Sequence, residues 1–231
     1  MKNGLPTYSI NIEPNSDLEE MTKAVSKFYP LNQEIENSSF SGYQVLVDTI
    51  SAKFDQLLNG KSPSLYDQLI DELKQEFSDF KIMREIDRQF PNYAVTIELS
   101  KQDLADFLIY KTLRLRISLL TGFFTVFHEE IIYHKGVSSM SFTHMPVITT
   151  LVSGNSKIVD EHGYYFKQVK AIAEKIFPEH KFFGHYLLFF TKLKNGVPHG
   201  FLDSQYGTDF PLYNFLFDYD FVSPSLSVIV Q

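Results

Sequence analysis

The chain contains no cysteine and no tryptophan. Without thiols it can form no disulfide, thiolate metal site or iron–sulfur cluster, and it has no cysteine nucleophile, so several enzyme classes are excluded together. Basic residues are scarce: 21 Lys+Arg stand against 28 Asp+Glu, a formal net charge of −7. The deficit is local, because residues 1–100 hold nine bases and sixteen acids while residues 101–231 hold twelve of each. The densest basic feature is Arg114 and Arg116 with Lys111 nearby, too small for the stripe that displaces counterions from nucleic acid. Long hydrophobic runs are missing as well. The most apolar windows, 117–127 and 182–190, fall short of the roughly 20 residues of a membrane helix, and the N-terminus lacks a signal-peptide apolar core. The expectation is a soluble, cytoplasmic protein with neither membrane nor nucleic acid as a partner.

Clustered glycines are absent too. The 11 glycines never fall into a Walker or dinucleotide spacing, so no nucleotide cofactor is expected. Gly136-Val137-Ser138 is followed by Ser139 and Met140 and lacks the second glycine of an esterase elbow. What the chain does have is rings: 22 Phe and 13 Tyr within 44% hydrophobic residues, enough for a large aromatic core.

The pattern of apolar residues predicts an α+β fold in one domain spanning residues 1–231, with a helical portion over about 13–80 and a sheet-rich portion over about 81–231. A strand at 5–12 is followed by a helix capped by Asn15 or Ser16, with Asp17, Glu19 and Glu20 at the positive end of its dipole. A second helix places Tyr43, Leu46, Val47, Ile50, Phe54, Leu57 and Leu58 on one face, with Gly60 as a left-handed cap. A third starts with Ser62 as cap and Pro63 as first helical residue, and runs Tyr66, Leu69, Ile70, Leu73, Phe77 and Phe80 along one side. From Lys81 the period shifts to two, giving a hairpin about Pro91-Asn92. A short helix through Leu104, Phe107 and Leu108 is then expected, followed by strands at 113–119, 123–133 and 141–152 and a turn at Ser153-Gly154-Asn155-Ser156. One further helix, about 160–177, is inserted before strands at 185–192, 213–221 and near 226–230. Strands grouped with strands argue for three N-terminal helices packed on a mainly antiparallel sheet.

All seven histidines lie between His128 and His199. His128-Glu129-Glu130-Ile131-Ile132 has Ile132 where a zincin needs its second histidine. Gly122, His128, Glu130 and His134 are similar to the first cupin motif with the histidine and glutamate positions exchanged, and two histidines with a carboxylate would suit a non-haem iron site. On one extended strand His128 and His134 stand roughly 20 Å apart, so a shared ion would require the chain to reverse between them. His144, His185 or His199 could replace His134 as third ligand. Asp218 and Asp220, roughly 7 Å apart on one strand face, approach a glycosidase spacing, but alternation with aromatic residues points to the solvent side of a half-buried strand. Arg114 and Arg116 share that geometry with opposite sign, which suggests cross-strand pairs with these acids. Residues 182–221 carry thirteen Phe or Tyr, mostly assignable to core, with Tyr206 and Phe210 in a loop open to a partner.

The reading that follows is a non-enzymatic protein-interaction module that presents an acidic helical surface to another protein. The alternatives are a metal-dependent enzyme using His128, Glu130 and His134 within the segment 128–199, and small-molecule binding in an aromatic-lined pocket.

Overall fold

The computed structural model describes residues 16–60, 64–85, 89–135, 146–152, 163–202, 205–219 and 227–230. The predicted strand at 5–12, the turn at 153–156, the cap at Ser62-Pro63 and the beginning of the predicted strand at 141–152 lie outside these residues. Helices α1 (Ser16–Val25), α2 (Ser41–Asn59) and α3 (Leu65–Glu76) precede strands β1 (Lys81–Arg84), β2 (Asn92–Asp103), β3 (Phe107–Ser118), β4 (Phe123–His134) and β5 (Pro146–Val152). Then come α4 (Gly163–Ile176), β6 (Lys181–Phe182), α5 (His185–Phe190), β7 (Lys192–Leu193), β8 (Phe210–Pro211), α6 (Leu212–Leu216) and β9 (Ser227–Val230). The fold is α+β, as the apolar pattern predicts.

The main sheet runs β1-β2-β3-β4-β5-β9. The first five strands are antiparallel neighbours, β9 lies parallel to β5, and β6 pairs in parallel with the start of β4, where β5 does not reach. Alternation along β2, β3 and β4 separates two faces. On one face Val95, Ile97, Leu113, Leu115, Ile117, Phe124 and Val126 pack against Leu69, Ile70 and Leu73 of α3 and Val169 and Ala173 of α4. On the other, Phe123 and Phe127 meet Met21 and Val25 of α1, Leu46 and Ile50 of α2, and the aromatic residues of α5 and α6. The helices thus divide between the two faces, with α3 opposite α1.

The cap of α3 is Ser64, two residues beyond the predicted Ser62. Ser64 Oγ accepts from the Asp67 N–H at 3.1 Å, while the Ser64 N–H donates to Asp67 Oδ2 at 2.9 Å, a reciprocal capping box. Gly60 also departs from expectation. Its φ is −64°, extended and not left-handed, and glycine is required there because a Cβ would stand 2.2 Å from the Gln56 carbonyl oxygen.

Three further assignments are corrected. The expected helix through Leu104 is a hairpin: β2 continues to Asp103, and the Leu104 N–H donates to the Phe107 carbonyl at 2.9 Å as the chain reverses. Extending an existing ladder satisfies more backbone groups than a short helix with three apolar residues. Residues 185–190 form helix α5, which buries His185, Leu188 and Phe189 and leaves Tyr186 and Phe190 outside. Six consecutive rings and aliphatics carry no alternation, so periodicity cannot separate helix from strand there. The predicted strand at 213–221 is also overturned through its described part. Leu212–Leu216 is a helix whose five residues are all buried, and a short helix in a dry core satisfies its own backbone where a strand would need neighbours.

Candidate functional site

The second face of the sheet is half covered and half open, and a chain of charges marks the boundary. Arg116 on β3 has no exposed surface, and its Nε donates to Asp218 Oδ2 at 3.0 Å, also fully buried. The guanidinium also donates to the Val95 and Leu115 carbonyls at 3.1 Å each and to Glu85 Oε1 at 3.2 Å. Two residues along the strand, Arg114 holds Glu129 Oε2 at 2.6 Å and stands 3.5 Å from Glu85 Oε1. Thr96 Oγ1 donates to the same Glu85 oxygen at 2.5 Å. One carboxylate is thus shared between a fully buried arginine and one at the margin of solvent. The notion that both arginines pair with Asp218 and Asp220 is half right: Asp218 does reach Arg116, but from just beyond α6 and not from a neighbouring strand. It lies in the core, not on the solvent side. Asp220 lies outside the described residues.

Beyond Arg114 no described helix covers this face, and Met83, Leu108, Tyr110, Ile131 and Tyr133 are half-buried. A groove of about 730 Å³ runs along it, lined by Lys81 and Met83 of β1, Thr96 and Glu98 of β2, Leu108, Tyr110, Thr112 and Arg114 of β3, and Ile131, Tyr133 and Lys135 at the end of β4. The strand register explains this set. Leu108 opposes Tyr133, Tyr110 opposes Ile131, and Lys81 opposes Glu98, all on one side of the pleat. Tyr110 and Tyr133 meet edge to face, with centroids 5.9 Å apart. Burial, with the Glu129 carboxylate adding to it, pushes the Tyr133 phenol up, so it stays protonated at neutral pH. An open sheet face is normally polar; this one has an apolar floor with charges at its margins.

A second surface lies on α2. Between residues 28 and 60 the only base is Lys53. Its side chain turns inward, where it is buried and donates to the Phe90 carbonyl at 2.7 Å and the Asn92 carbonyl at 3.4 Å. Glu34, Glu36, Asp48 and Asp55 are exposed. Beside them Val45 is 53% and Leu58 66% exposed. A cleft of about 390 Å³ flanks this face, lined by Val47, Ile50, Ser51, Phe54, Asp55, Gln89 and His199. Tyr43 and His199 Nδ1 are 2.7 Å apart, and His199 Nε2 lies 3.1 Å from the Gln89 carbonyl. Donation from Nε2 to that carbonyl leaves Nδ1 to accept from the Tyr43 hydroxyl, the neutral tautomer. Burial holds the His199 imidazole below its ordinary value, opposed by the Gln89 bond. Elsewhere four of the helical acids are answered from within the chain: Asp17 and Glu20 by Lys181, Asp67 by Arg84, and Glu72 by Lys175. Glu19, Asp71, Glu76 and Asp79 are exposed as well, so α2 and the loop before it differ from α1 and α3 in having no outward base, not in being the sole carriers of exposed acids.

The residues singled out for metal binding are not brought together. His128, Glu130 and His134 share one side of β4, which runs unbroken from Phe123 to His134. The chain does not reverse, and their backbone positions span roughly 20 Å. His128 is buried against the ring of Phe166, at 6.2 Å between centroids. His185 is buried beside Phe127 and Phe189, and His199 lies at the α2 cleft; His144 is outside the described residues. Among the described residues no group of three His, Asp or Glu side chains is placed to hold a metal ion. Phe210 is a correction: it is 1% exposed, packed on Phe201 and Phe215, and cannot meet a partner. Tyr206 is half-buried. The rings of residues 182–217 go chiefly into the core, and the groove draws instead on Tyr110 and Tyr133, which sequence reasoning passed over. Their signal was present in the apolar residues at 108, 110, 131 and 133, where a solvated face calls for polar ones.

No family model, curated protein or solved structure matches the chain. Among the described residues no helix is long and apolar enough to cross a membrane.

Proposed function

We propose that this protein is a non-enzymatic, cytoplasmic protein-interaction module that offers another protein the acidic helical surface centred on α2. The observation that carries this reading is the inward turn of Lys53. It removes the only base of residues 28–60 from the surface and leaves Glu34, Glu36, Asp48 and Asp55 as its outward charge. None of these four acids forms an ion pair with another described residue, so their field is not cancelled locally. Exposed Val45 and Leu58 and the Phe54 cleft add apolar surface that a partner can dehydrate. Such an arrangement recruits a basic partner surface by long-range attraction and holds it by short-range burial.

The test uses the full chain as bait, followed by salt titration of whatever complex is recovered. Binding should weaken steeply as salt rises through about 0.1–0.5 M, where the screening length falls from about 10 Å toward a few ångströms. It should also weaken in a variant carrying Glu34→Lys, Glu36→Lys, Asp48→Lys and Asp55→Lys, with the loss mostly in association rate. A recovered partner indifferent to both the salt and the charge reversal would refute the acidic-surface assignment.

A further inference from the structure

We propose that the open groove on the sheet is a second docking site, which takes one amphipathic α-helix of a partner protein, apolar toward the sheet and acidic along its flanks. It is independent of the α2 surface. Three features of the groove select that occupant.

The first is size. The lining spans the six-residue step from Arg114 to Leu108, roughly 20 Å at about 3.3 Å per residue, and four strands, or roughly 14 Å at about 4.8 Å per spacing. An α-helix is about 10–12 Å wide, and about 13 residues of it cover 20 Å. A small amphiphile would leave most of this length in water.

The second is the layer pattern of the fold. The same sheet face is covered over its other half by α1, α5 and α6, and the opposite face by α3 and α4. The open half continues the apolar surface those helices pack on, through Met83, Leu108, Tyr110, Ile131 and Tyr133. Tyr, Met and Arg are the side chains enriched at the buried centres of protein interfaces.

The third is charge. Lys81, Arg114 and Lys135 face the groove, against Glu98 alone. The acids that answer two of these cations are placed elsewhere. Glu129 is only 4% exposed and, with Glu85, holds Arg114 from the boundary network, while Asp103 binds Lys135 from outside the groove. Lys81 stands exposed on the four-residue strand β1 at one margin, and Lys135 follows β4 at the other. Acidic residues on one flank of a bound helix would meet Lys81, and those on the other would share Lys135 with Asp103.

The probe is a fluorescein-labelled peptide of about 14 residues, with leucines at helical spacing on one face and glutamates on the flanks, titrated with the full chain by fluorescence anisotropy. Single-site, saturable binding is expected, weakened roughly tenfold or more by Lys81→Glu and by Ile131→Lys, and unchanged by Asp48→Lys on α2. Exchange of glutamates for lysines in the peptide should weaken it similarly. Because Ile131→Lys alters the middle of the β4 ladder, Tyr133→Glu near the strand's end serves as a second groove variant, and circular dichroism confirms that each variant is folded. Hydrogen exchange should slow in residues 108–112 and 129–133 when peptide is bound. The proposal is overturned by no binding at about 1 mM peptide. Equal binding of a scrambled or lysine-flanked peptide, binding that survives both folded groove variants, or protection confined to α2 would overturn it as well. Saturation by dodecanoate but not by peptide would identify a small-amphiphile site and likewise overturn it. Loss of this site would leave the α2 reading standing, since the salt and charge-reversal test does not involve the groove.

Discussion

Replacing Asp218 by alanine removes the carboxylate from a side chain with no exposed surface and leaves the fully buried Arg116 guanidinium with one fewer partner. Breaking a buried pair from one side costs about 3–5 kcal/mol, because a charge remains in the interior without its counter-charge. Arg116 keeps Glu85 Oε1 at 3.2 Å and the Val95 and Leu115 carbonyls at 3.1 Å. Those contacts place the expected loss near the lower end, about 3 kcal/mol, or about 6–12 °C in melting temperature for a chain of this size. By contrast, cutting the half-exposed Lys181–Asp17 pair at 2.7 Å by Asp17→Ala should leave the stability nearly unchanged. Equilibrium urea unfolding, followed by circular dichroism at neutral pH, measures both. A companion variant, Arg116→Met with Asp218→Leu, separates attraction from desolvation. Glu85 then keeps the Thr96 hydroxyl at 2.5 Å and Arg114 at 3.5 Å, so the double variant should be less destabilised than Asp218→Ala alone. A loss below about 1 kcal/mol for Asp218→Ala would mean that the pair behaves as an exposed one and would refute the reasoning.

Two further outcomes follow from local geometry. Ser64→Ala removes both hydroxyl bonds of the α3 cap and should cost about 1 kcal/mol by urea unfolding. The Ser64 bonds, first the backbone N–H and then the hydroxyl, hold the Asp67 carboxyl below its ordinary 3.8, so its contribution is complete above that value and fades as pH falls through the lower folded one. Ser64→Ala should raise the Asp67 midpoint in an NMR titration, and an unmoved midpoint would exclude the hydroxyl as a cause and leave the backbone N–H alone. Burial lowers both His199 and His180 below 6.5 in the folded chain. The unfolded chain therefore binds these protons first, and stability is complete above about pH 6.5 and declines as pH falls through the folded values. A urea midpoint unchanged between about pH 7.5 and 5.5 would count against neutral, buried imidazoles.

The helices and the antiparallel strands were legible because one side of each meets a core. Leu69, Ile70 and Leu73 recur at the helical spacing, and Leu113, Leu115 and Ile117 alternate with Thr112, Arg114 and Arg116, so each period has a single interpretation. The failure at α6 occurs where both sides of an element are buried. Tyr213, Phe215 and Phe217 alternate as a strand would, but Leu212 before them and Leu216 between the last two are equally apolar, and all are under 2% exposed. A segment buried all round carries no amphipathic signal, and its period reflects composition instead of geometry. The same cause hid the role of Asp218. An acid between aromatic residues reads as a solvent marker unless its partner is known, and Arg116 lies 102 residues away in sequence.

The two surfaces differ in what sequence could disclose about them. The excess of acids over residues 1–100 is a matter of counting, but its effective location depends on which bases point outward. Lys181, Lys175 and Arg84 neutralise acids of α1 and α3, whereas Lys53 withdraws from α2, and only tertiary contacts decide between these outcomes. The groove posed the opposite difficulty. At the far end of the β3–β4 ladder, Leu108, Tyr110, Ile131 and Tyr133 occupy one side and Ile109, Lys111, Glu130 and Ile132 the other, so neither side is uniformly polar. Residues of that kind are neutral about which face is covered. Among the described residues the helix layer ends at Arg114, and that packing, not the strand pattern, is what distinguishes the apolar floor beyond it from the covered half of the same face.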